Sequence, residues 1–381
     1  MNKKRIVIIR NAKSYDFGGG ERVPVLIARE VAKNSSLSPL VLSGSEKLLD
    51  FAEDESVPHM KSWWWSNQNW SGVRVLLTPI YIVWQIILYF YYLSHFIRLR
   101  PLVVHLQSKD DFIAGTFAAR TLKIRVLWSD YADLKYIFLN HKIWYKNPIG
   151  KMVYFAAHFT EEIIVVSEED KSLISVNIPN GIVKAKMSVV YYGAFDVYKE
   201  TKKNKSFTFV SASRIVTDKG IGELIEAFNE LNKELPNTRL NIIGDGPEKG
   251  YFEELAKNNK AISFLGFKPN PLDFVNKSHV FIIPTYQEGF SQALVEACMM
   301  KMPIIATAVG GNLEIIYDHK TGLLVPVRDS KALCSAMRLL HEDEALRQTL
   351  ARNAREQYIK KFQFDRIVKE KIIPLYEGSK K

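Results

Sequence analysis

Short runs of β-branched and other apolar residues alternate with helix-length segments along this chain. Continuous apolar strands separated by helices are typical of parallel sheets that helices cover on both faces. The sequence therefore predicts an α/β fold with doubly wound parallel sheets. The predicted strands are 5–10, 101–106, 124–129, 162–167, 207–213, 239–244, 280–284 and 303–307.

The chain has 381 residues, which exceeds what one hydrophobic core usually covers, and two domains are expected. The charged segment 196–206 has no apolar periodicity and predicts the boundary between them. We expect domains over residues 1–195 and 196–364. We expect a C-terminal helix, about 365–381, to pack back on the first domain.

The net charge of +11 is unevenly spread, since residues 1–195 hold 24 Lys and Arg against 17 Asp and Glu. A basic first half is typical of a protein with an anionic partner, such as phosphates, nucleic acid or a lipid surface. No signature of a nucleic-acid-binding module is visible, so a nucleic-acid partner is not expected.

The two cysteines, Cys298 and Cys334, suit a reducing compartment and give neither a disulfide framework nor a zinc pattern. The apolar part of the N-terminus is too short for the core of a signal peptide. We therefore expect a cytoplasmic protein.

Residues 59–97 break the strand–helix alternation. Four of the seven tryptophans lie in 59–72, and 75–97 contains no Asp, Glu, Lys or Arg over 23 residues. That length can span a bilayer, but the segment falls where the alternation requires a packing helix. Two interpretations stay open: a helix that covers the first domain, and one whose aromatic face also lies in the lipid interface. The tryptophans, with Arg98 and Arg100 beside them, favour a peripheral contact with an anionic membrane.

In an open parallel sheet, ligands bind beyond the carboxyl ends of the strands. After the strand 280–284, Ser291 predicts the N-cap of a helix, with Glu288 in the loop before it and Glu296 about a turn and a half inside it. Backbone N–H groups at such a helix start can bind an anion, whereas carboxylates suit hydroxyl groups. A sugar nucleotide, with a central diphosphate and hydroxyl-rich ends, has this layout. The residues expected to present these N–H groups are Gly289, Phe290, Ser291 and Gln292.

The loop after the strand 207–213 contains Arg214 and Lys219. Both could reach a single diphosphate, and on spacing alone two solvated loop cations are the alternative. After the strand 239–244, GDGPEKG has a displaced third glycine, so it predicts a tight strand-to-helix turn rather than a dinucleotide site.

The loop after the strand 5–10 ends in three glycines before a predicted helix. Gly18 and Gly19 allow a close backbone approach to a ligand. A loop that contacts no ligand is the alternative.

These loops carry a family resemblance. EGFSQALVEA (288–297) resembles the E-x7-E signature of retaining GT-B glycosyltransferases of the family 4 type. SRIVTDKG resembles the family's donor-diphosphate Arg/Lys loop, IIGDGP its middle strand-turn, ISFLGF the stretch that borders the base, and GGGE its N-terminal glycine loop. The match covers nearly all of residues 207–329 in order.

The resemblance implies a GT-B fold, in which two Rossmann-like doubly wound domains face each other across a cleft. The first domain would bind the acceptor and the second the sugar-nucleotide donor. Glu288 would contact the transferred sugar and Glu296 the ribose hydroxyls, while Phe267 would border the base. Arg214 and Lys219 would stabilise the leaving diphosphate in place of a metal. The implied enzyme has no cofactor and no metal, and a UDP-sugar is the favoured co-substrate.

The first domain departs from the family pattern at Asp130, which stands where the family often has a histidine near the sugar. Asp130 could accept a hydroxyl hydrogen bond in a catalytic role, or it could cap the next helix. His105 ends a predicted strand, and for it a functional and a structural role are equally open.

We therefore expect a metal-independent retaining glycosyltransferase that transfers a sugar to a glycan or lipid-linked acceptor. Bacterial cell-surface polysaccharide or glycoconjugate synthesis, at the cytoplasmic face of a membrane, is the expected setting. The alternatives are a sugar-nucleotide epimerase or phosphorylase of the same fold, or a non-catalytic nucleotide-sugar-binding partner subunit.

Overall fold

The computed structural model describes residues 4–11, 19–63, 78–131, 134–138, 148–178 and 181–378. The chain divides into two compact units. The first unit comprises Met1–Tyr191 and Asp365–Lys381, and the second comprises Tyr192–Phe364.

The first unit is built on a seven-stranded sheet in which every described strand pair is parallel. Its strands follow the order β3-β2-β1-β4-β5-β6-β7 across the sheet. Ile6, Val7, Ile8 and Ile9 of β1 are all completely buried, because helices cover both faces of the sheet. The strands are β1 (Arg5–Ile9), β2 (Ser38–Ser43), β3 (His59–Lys61), β4 (Val103–Leu106), β5 (Arg125–Asp130), β6 (Glu162–Val165) and β7 (Met187–Val189).

Helices connect these strands. They are α1 (Gly19–Asn34), α2 (Glu46–Asp54), α3 (Thr78–Leu99), α4 (Phe112–Thr121), α5 (Leu134–Ile137), α6 (Pro148–Ala157), α7 (Glu168–Asn177) and α8 (Ile182–Ala185).

The second unit has a six-stranded parallel sheet of order β10-β9-β8-β11-β12-β13. Its strands are β8 (Phe207–Ala212), β9 (Thr238–Ile243), β10 (Ile262–Gly266), β11 (Val280–Ile283), β12 (Ile304–Thr307) and β13 (Leu323–Val325). Its helices are α9 (Ile221–Glu234), α10 (Lys249–Ala256), α11 (Leu272–Lys277), α12 (Gln292–Met299), α13 (Asn312–Ile315), α14 (Ser330–Glu342) and α15 (Glu344–Lys361).

Both sheets reverse their strand order at one point, between β1 and β4 in the first and between β8 and β11 in the second. At such a switch point the connections on either side leave in opposite directions, which opens a crevice at the carboxyl ends of the strands. The predicted donor-loop residues follow β8 and β11, and so lie at the switch point of the second sheet.

The C-terminal segment belongs to the first unit from Asp365 onwards. It contains α16 (Phe364–Ile367), a π-helical turn (Val368–Ile372) and α17 (Ile373–Glu377). The guanidinium of Arg125, at the start of β5, donates to the carbonyl oxygens of Leu375 (2.8 Å) and Tyr376 (2.9 Å). These bonds satisfy carbonyl groups at the end of α17 that have no partner within the helix.

The charged stretch 196–206 packs on the second unit. The ammonium of Lys203 donates to the carbonyl oxygens of Asn276 (2.9 Å) and Ser278 (2.8 Å), and burial lowers its pKa to about 8. Asp196 forms an ion pair with Arg355 at 2.5 Å. Lys203 and Asp196 of this stretch are therefore bound to other elements of the second unit.

Candidate active site

The loops that follow β8 and β11 lie side by side, because these two strands are hydrogen-bonded neighbours. Beyond the strand ends, the carbonyl oxygen of Asp218 accepts from the backbone N–H of Tyr286 (2.8 Å) and from the hydroxyl of Thr285 (3.1 Å). The two loops are thus joined by direct hydrogen bonds and form one surface.

Lys219 and Glu288 meet on this surface. The Nζ atom of Lys219 lies 2.8 Å from Oε2 of Glu288, and the two side chains are 15% and 19% exposed. An ammonium has three donors and a carboxylate has two acceptor oxygens, so each group keeps capacity for a ligand while bound to the other. The structure brings together two of the residues that the sequence analysis selected.

Tyr286 fixes the position of the Glu288 loop from the other side. Its hydroxyl lies 2.6 and 2.7 Å from the two carboxylate oxygens of Glu223 on α9. Burial and the Glu223 carboxylate raise the pKa of Tyr286 to about 12, so the phenol stays protonated and donates. The guanidinium of Arg328 lies 4.6 Å from the centre of the Tyr286 ring. The sequence analysis did not identify this support.

The helix predicted after Glu288 is α12, and Ser291 is its N-cap. The Ser291 hydroxyl accepts from the backbone N–H of Leu294 at 3.3 Å, as the sequence predicts. The Gln292 side chain donates to the carbonyl oxygen of Gly193 (3.0 Å), and the Phe290 ring packs against Phe362. These three side chains hold the start of α12 in place.

A further loop, after β12, contacts the loop that carries Glu288. The backbone N–H of Gly311 donates to the carbonyl oxygen of Glu288 at 3.1 Å. A Cβ at Gly311 would lie 2.2 Å from the carbonyl oxygen of Gly289, which only glycine permits. The GG pair at 310–311, inside the stretch 207–329 that carries the family resemblance, is the sequence signal for this contact.

Glu296 lies on α12 on the face that is not buried. Gln292, Ala293 and Glu296 are partly exposed, whereas Leu294 and Val295 are fully buried. Residues three and four apart share a helix face, so Glu296 lies on the same side as the start of α12 that carries Gln292.

Arg214 is exposed at the end of β8. Among the described residues, its guanidinium takes part in no hydrogen bond or ion pair, so its positive charge is not compensated there. The adjacent GDGPEKG segment is a tight turn between β9 and α10, as predicted. A Cβ at Gly244 would lie 1.9 Å from the carbonyl oxygen of Ser213, and one at Gly246 would lie 2.3 Å from that of Ile215. Both glycines therefore allow this turn to pack against the Arg214 loop.

Three other residues were predicted to contact the donor: Phe267, Gly19 and Gly18. Phe267 directly follows β10 and is 68% exposed. Gly19 is the first residue of α1. Gly18 lies outside the described residues.

Asp130, at the end of β5, has the capping contact that was one of its two predicted roles. It is buried, and its Oδ1 accepts from the backbone N–H of Leu134, the first residue of α5, at 3.0 Å. A catalytic role of Asp130 stays a prediction.

His105 links β4 to neighbouring elements of the first unit. Its Nδ1 lies 2.7 Å from the hydroxyl of Tyr376 on α17, and its Nε2 lies 2.7 Å from that of Ser129 on β5. The ring is fully buried, and this burial lowers the pKa of His105 to about 3. His105 is therefore neutral at physiological pH, which agrees with the structural alternative.

A buried polar cluster at the ends of β1 and β4 was not selected from the sequence. The Asn11 side chain donates to Asp111 (3.2 Å) and accepts from the backbone N–H of Gly44 (2.8 Å), and the Tyr92 hydroxyl also donates to Asp111. Burial raises the pKa of Asp111 to about 6. This cluster fixes the carboxyl end of β1, where the glycine loop begins.

No group of three or more His, Cys, Asp or Glu that could hold a metal ion is found within the described ranges. Metal-independent chemistry stays a prediction, because it concerns the reaction and not the free protein.

The fold is similar to those of known proteins of solved structure. The chain is similar over its whole length to a glycosyltransferase from Rickettsia africae (TM-score 0.77, 18% identity, 100% of both chains). It is similar also to HepE of Anabaena, solved in complex with UDP (TM-score 0.75, 17% identity, 98% of this chain and 100% of that chain). With the two parallel-sheet units, these likenesses confirm the predicted GT-B fold.

The amino-acid sequence is also similar to those of glycosyltransferases. Residues 195–357 match the family described as "Glycosyl transferases group 1", a range that contains the β8 and β11 loops. The chain is 28% identical over 248 residues to the capsular polysaccharide biosynthesis glycosyltransferase CapM of Staphylococcus aureus, covering 58% of this chain and 65% of CapM. The chain spans less than two thirds of the length of the first curated relatives it matches.

Proposed function

We propose that this protein is a retaining, metal-independent glycosyltransferase. It would transfer a sugar from a nucleotide-diphosphate sugar, with a UDP-sugar favoured, to a glycan or lipid-linked acceptor in cell-surface polysaccharide or glycoconjugate synthesis. The second unit would bind the donor and the first unit the acceptor.

One observation carries the proposal: Lys219 and Glu288 form an ion pair at the switch point of the second sheet, inside the region that matches group 1 glycosyl transferases. A cation and a carboxylate side by side, next to the start of α12, suit a ligand that presents a diphosphate and hydroxyl groups. A sugar nucleotide presents both.

The charges on this surface support different proposed roles for its two cations. Glu288 compensates Lys219 in the free protein, whereas no described carboxylate compensates Arg214. Arg214 would therefore supply net attraction for the incoming diphosphate, and Lys219 would share its remaining donors between the diphosphate and Glu288. Glu288 would accept a hydroxyl of the transferred sugar, and Glu296, farther along α12, would accept the ribose hydroxyls.

In the proposed reaction, the bond between the anomeric carbon and the diphosphate oxygen breaks, and a bond from that carbon to the acceptor oxygen forms on the same face. The acceptor hydroxyl gives its proton to the departing diphosphate. Negative charge grows on the diphosphate as the first bond breaks, so Arg214, Lys219 and the backbone N–H groups of Gly289 to Gln292 would stabilise the transition state more than the bound donor.

The names of similar proteins support the choice of donor and setting. CapM is named for capsular polysaccharide biosynthesis, and HepE was solved with UDP. The basic first half of the chain and the apolar helix α3 support an acceptor at the cytoplasmic face of a membrane.

Donor binding is tested by a thermal-shift screen with UDP-, GDP-, ADP- and dTDP-sugars. A bound donor stabilises the folded state by mass action, by about 2.7 kcal/mol at a hundred times its dissociation constant. We expect a UDP-sugar to raise the melting temperature most. A failure of every nucleotide sugar to stabilise the protein would overturn the proposal, and binding without transfer would indicate the non-catalytic alternative.

The role of Glu288 is tested by Glu288→Ala. Loss of a group that contacts the reacting sugar is expected to lower transfer by at least about a hundredfold. The matched control is Glu230→Ala, which removes a glutamate that pairs with Lys233 at the same 2.8 Å on the exposed surface of this unit. The control should keep full activity, and unchanged turnover in Glu288→Ala would overturn the assignment.

A further inference from the structure

The helix α3 has one face that no described residue covers. Its outward residues are apolar over its first four turns, and six of them are between 42% and 63% exposed. By length and composition α3 could cross a membrane, and 28% of its most apolar window is buried. The exposed residues are Ile80, Ile82, Val83, Ile86, Ile87 and Phe90.

The opposite face of α3 is anchored in the first unit. Tyr81, Leu88 and Phe96 are buried in the core. The Gln85 side chain, also buried, donates to the carbonyl oxygen of Asp110 (3.1 Å) and accepts from the backbone N–H of Ala114 (3.1 Å). A membrane-spanning position would break these contacts and leave buried polar groups without partners. The helix α3 therefore stays packed in the first unit, and only its outer face is available for contact with a partner.

Aromatic residues extend this face on both sides. Trp63 is 52% exposed and packs edge-on against Trp84 of α3, with ring centres 5.4 Å apart. On the other side, the Tyr89 hydroxyl lies 3.0 Å from that of Thr121 on α4. One turn before Thr121, Phe117 contacts Phe155 and Phe159, which are 57% and 37% exposed. We call the six α3 residues, Trp63, Phe155 and Phe159 the apolar face.

The charges of the supporting helices have one sign. The sequences of α3, α4 and α6 contain no Asp or Glu. Their Lys and Arg residues are Arg98, Arg120 and Lys151, which are all exposed and lie towards helix ends. The ammonium of Lys186 donates to the carbonyl oxygen of His158 (2.7 Å), directly before Phe159. The acidic residue beside it, Glu161, is paired with Arg125 at 2.9 Å. Basic groups therefore border the apolar face.

We propose that the apolar face is a docking surface for a lipid bilayer with anionic headgroups, with α3 lying in the plane of the interface. An apolar face whose supporting helices α3, α4 and α6 carry basic residues and no acidic residue matches the acyl boundary and the headgroup charge of such a bilayer. Tryptophan and phenylalanine at its borders suit the same boundary. The proposed function supplies a reason for membrane binding, namely a lipid-linked acceptor. The binding itself requires neither a sugar-nucleotide donor nor sugar transfer.

The experiment is co-sedimentation of the full chain with phosphatidylcholine vesicles that contain or lack phosphatidylglycerol. We expect binding to the anionic vesicles that weakens with salt. The double variant Ile86→Glu/Phe90→Glu should lower the partition coefficient at least about tenfold, because two exposed apolar groups no longer enter the interface. Arg98→Glu/Arg120→Glu should reduce binding to anionic vesicles and leave binding to neutral vesicles unchanged.

The matched control is Val176→Glu on α7, an equally apolar-to-acidic change in the same unit at a side chain that is 82% exposed. It should bind vesicles within about twofold of the unaltered protein, as expected for a surface change outside the face. Wild-type protein that does not bind vesicles, or a double variant that binds as well as wild type, would overturn the proposal. So would sedimentation equilibrium showing that the face joins two copies into a dimer which the double variant dissociates, without a change in vesicle binding.

Donor thermal shifts on the same double variant separate this inference from the proposed function. An unchanged donor shift with lost vesicle binding assigns the effect to the apolar face alone. Absence of any donor shift in wild-type protein overturns the glycosyltransferase proposal and leaves the vesicle result standing.

Discussion

At the residue scale, Gly220 shows how closely the two donor loops approach each other. Its φ of +67° lies in the left-handed region, and a Cβ there would lie 2.0 Å from the carbonyl oxygen of Pro284. Pro284 follows β11, and Gly220 separates Lys219 from α9. Any side chain at this position would push apart the loops that carry Lys219 and Glu288.

We therefore expect Gly220→Ala to lower the free energy of unfolding by at least about 2 kcal/mol. It should also reduce the thermal shift produced by donor, because the Lys219–Glu288 geometry is disturbed. Gly250→Ala is the control, since nothing lies within 4 Å of its Cβ position near the start of α10. That change should be neutral or stabilise by up to about 1 kcal/mol. Urea unfolding measures the free energy of unfolding of each variant. Equal losses in Gly220→Ala and Gly250→Ala would show that the close approach at Gly220 does not limit the side chain there.

The residues of the candidate site were predictable where spacing along one loop defines them. Glu288, Ser291 and Glu296 follow from one strand, one cap and one helix. Tyr286 and Glu223 were not predictable, because their contact joins positions 63 residues apart and depends on how α9 lies beside β11. Sequence periodicity contains no information on that packing.

At the element scale, the strands predicted from the sequence are those at the centres of the two sheets. All eight are present, with ends that differ by a few residues. Of the five strands that were not predicted, β3, β7, β10 and β13 lie at sheet edges. β3, β7 and β13 have only three residues each, and all five residues of β10 are partly exposed. These strands therefore lack the continuous buried apolar run by which the central strands were recognised.

His105 makes the attachment of α17 to the sheet sensitive to pH. The pKa of His105 is lowered from 6.5 to about 3 by burial, so the folded state keeps the ring neutral while the unfolded state binds a proton below pH 6.5. Its contribution to stability is complete above pH 6.5 and is lost as the pH falls towards 3, by up to about 1.4 kcal/mol per pH unit.

The stability difference between wild type and His105→Gln should therefore shrink as the pH is lowered from 7 to 5. Asp111 has a raised pKa of about 6 and acts with the opposite sign, but it is present in both proteins and cancels in the difference. Urea unfolding over this pH range measures the effect. A difference that does not change with pH would show that His105 is not held neutral by the fold.

At the scale of the whole molecule, the second unit is one continuous piece of chain, whereas the first is assembled from two. The ends of the second unit are joined by their own hydrogen bonds. The backbone N–H of Ala194 donates to the carbonyl oxygen of Phe362, and that of Phe364 donates to the carbonyl oxygen of Ala194, both at 3.0 Å. The Tyr358 hydroxyl also donates to Ala194, at 2.7 Å. This closure, with a separate core under the sheet, indicates a unit that can fold without the rest of the chain.

We expect a fragment of residues 192–364 to unfold in a single cooperative transition and to show the same donor preference in thermal shifts as the full chain. All the residues proposed to hold the diphosphate lie within it, so donor binding should survive the loss of the first unit, while transfer should not. Residues 1–191 alone should fold poorly, because Val368, Ile372 and Tyr376 of the missing segment are buried in that unit. A fragment 192–364 that folds but binds no nucleotide sugar would place the donor outside the β8 and β11 loops.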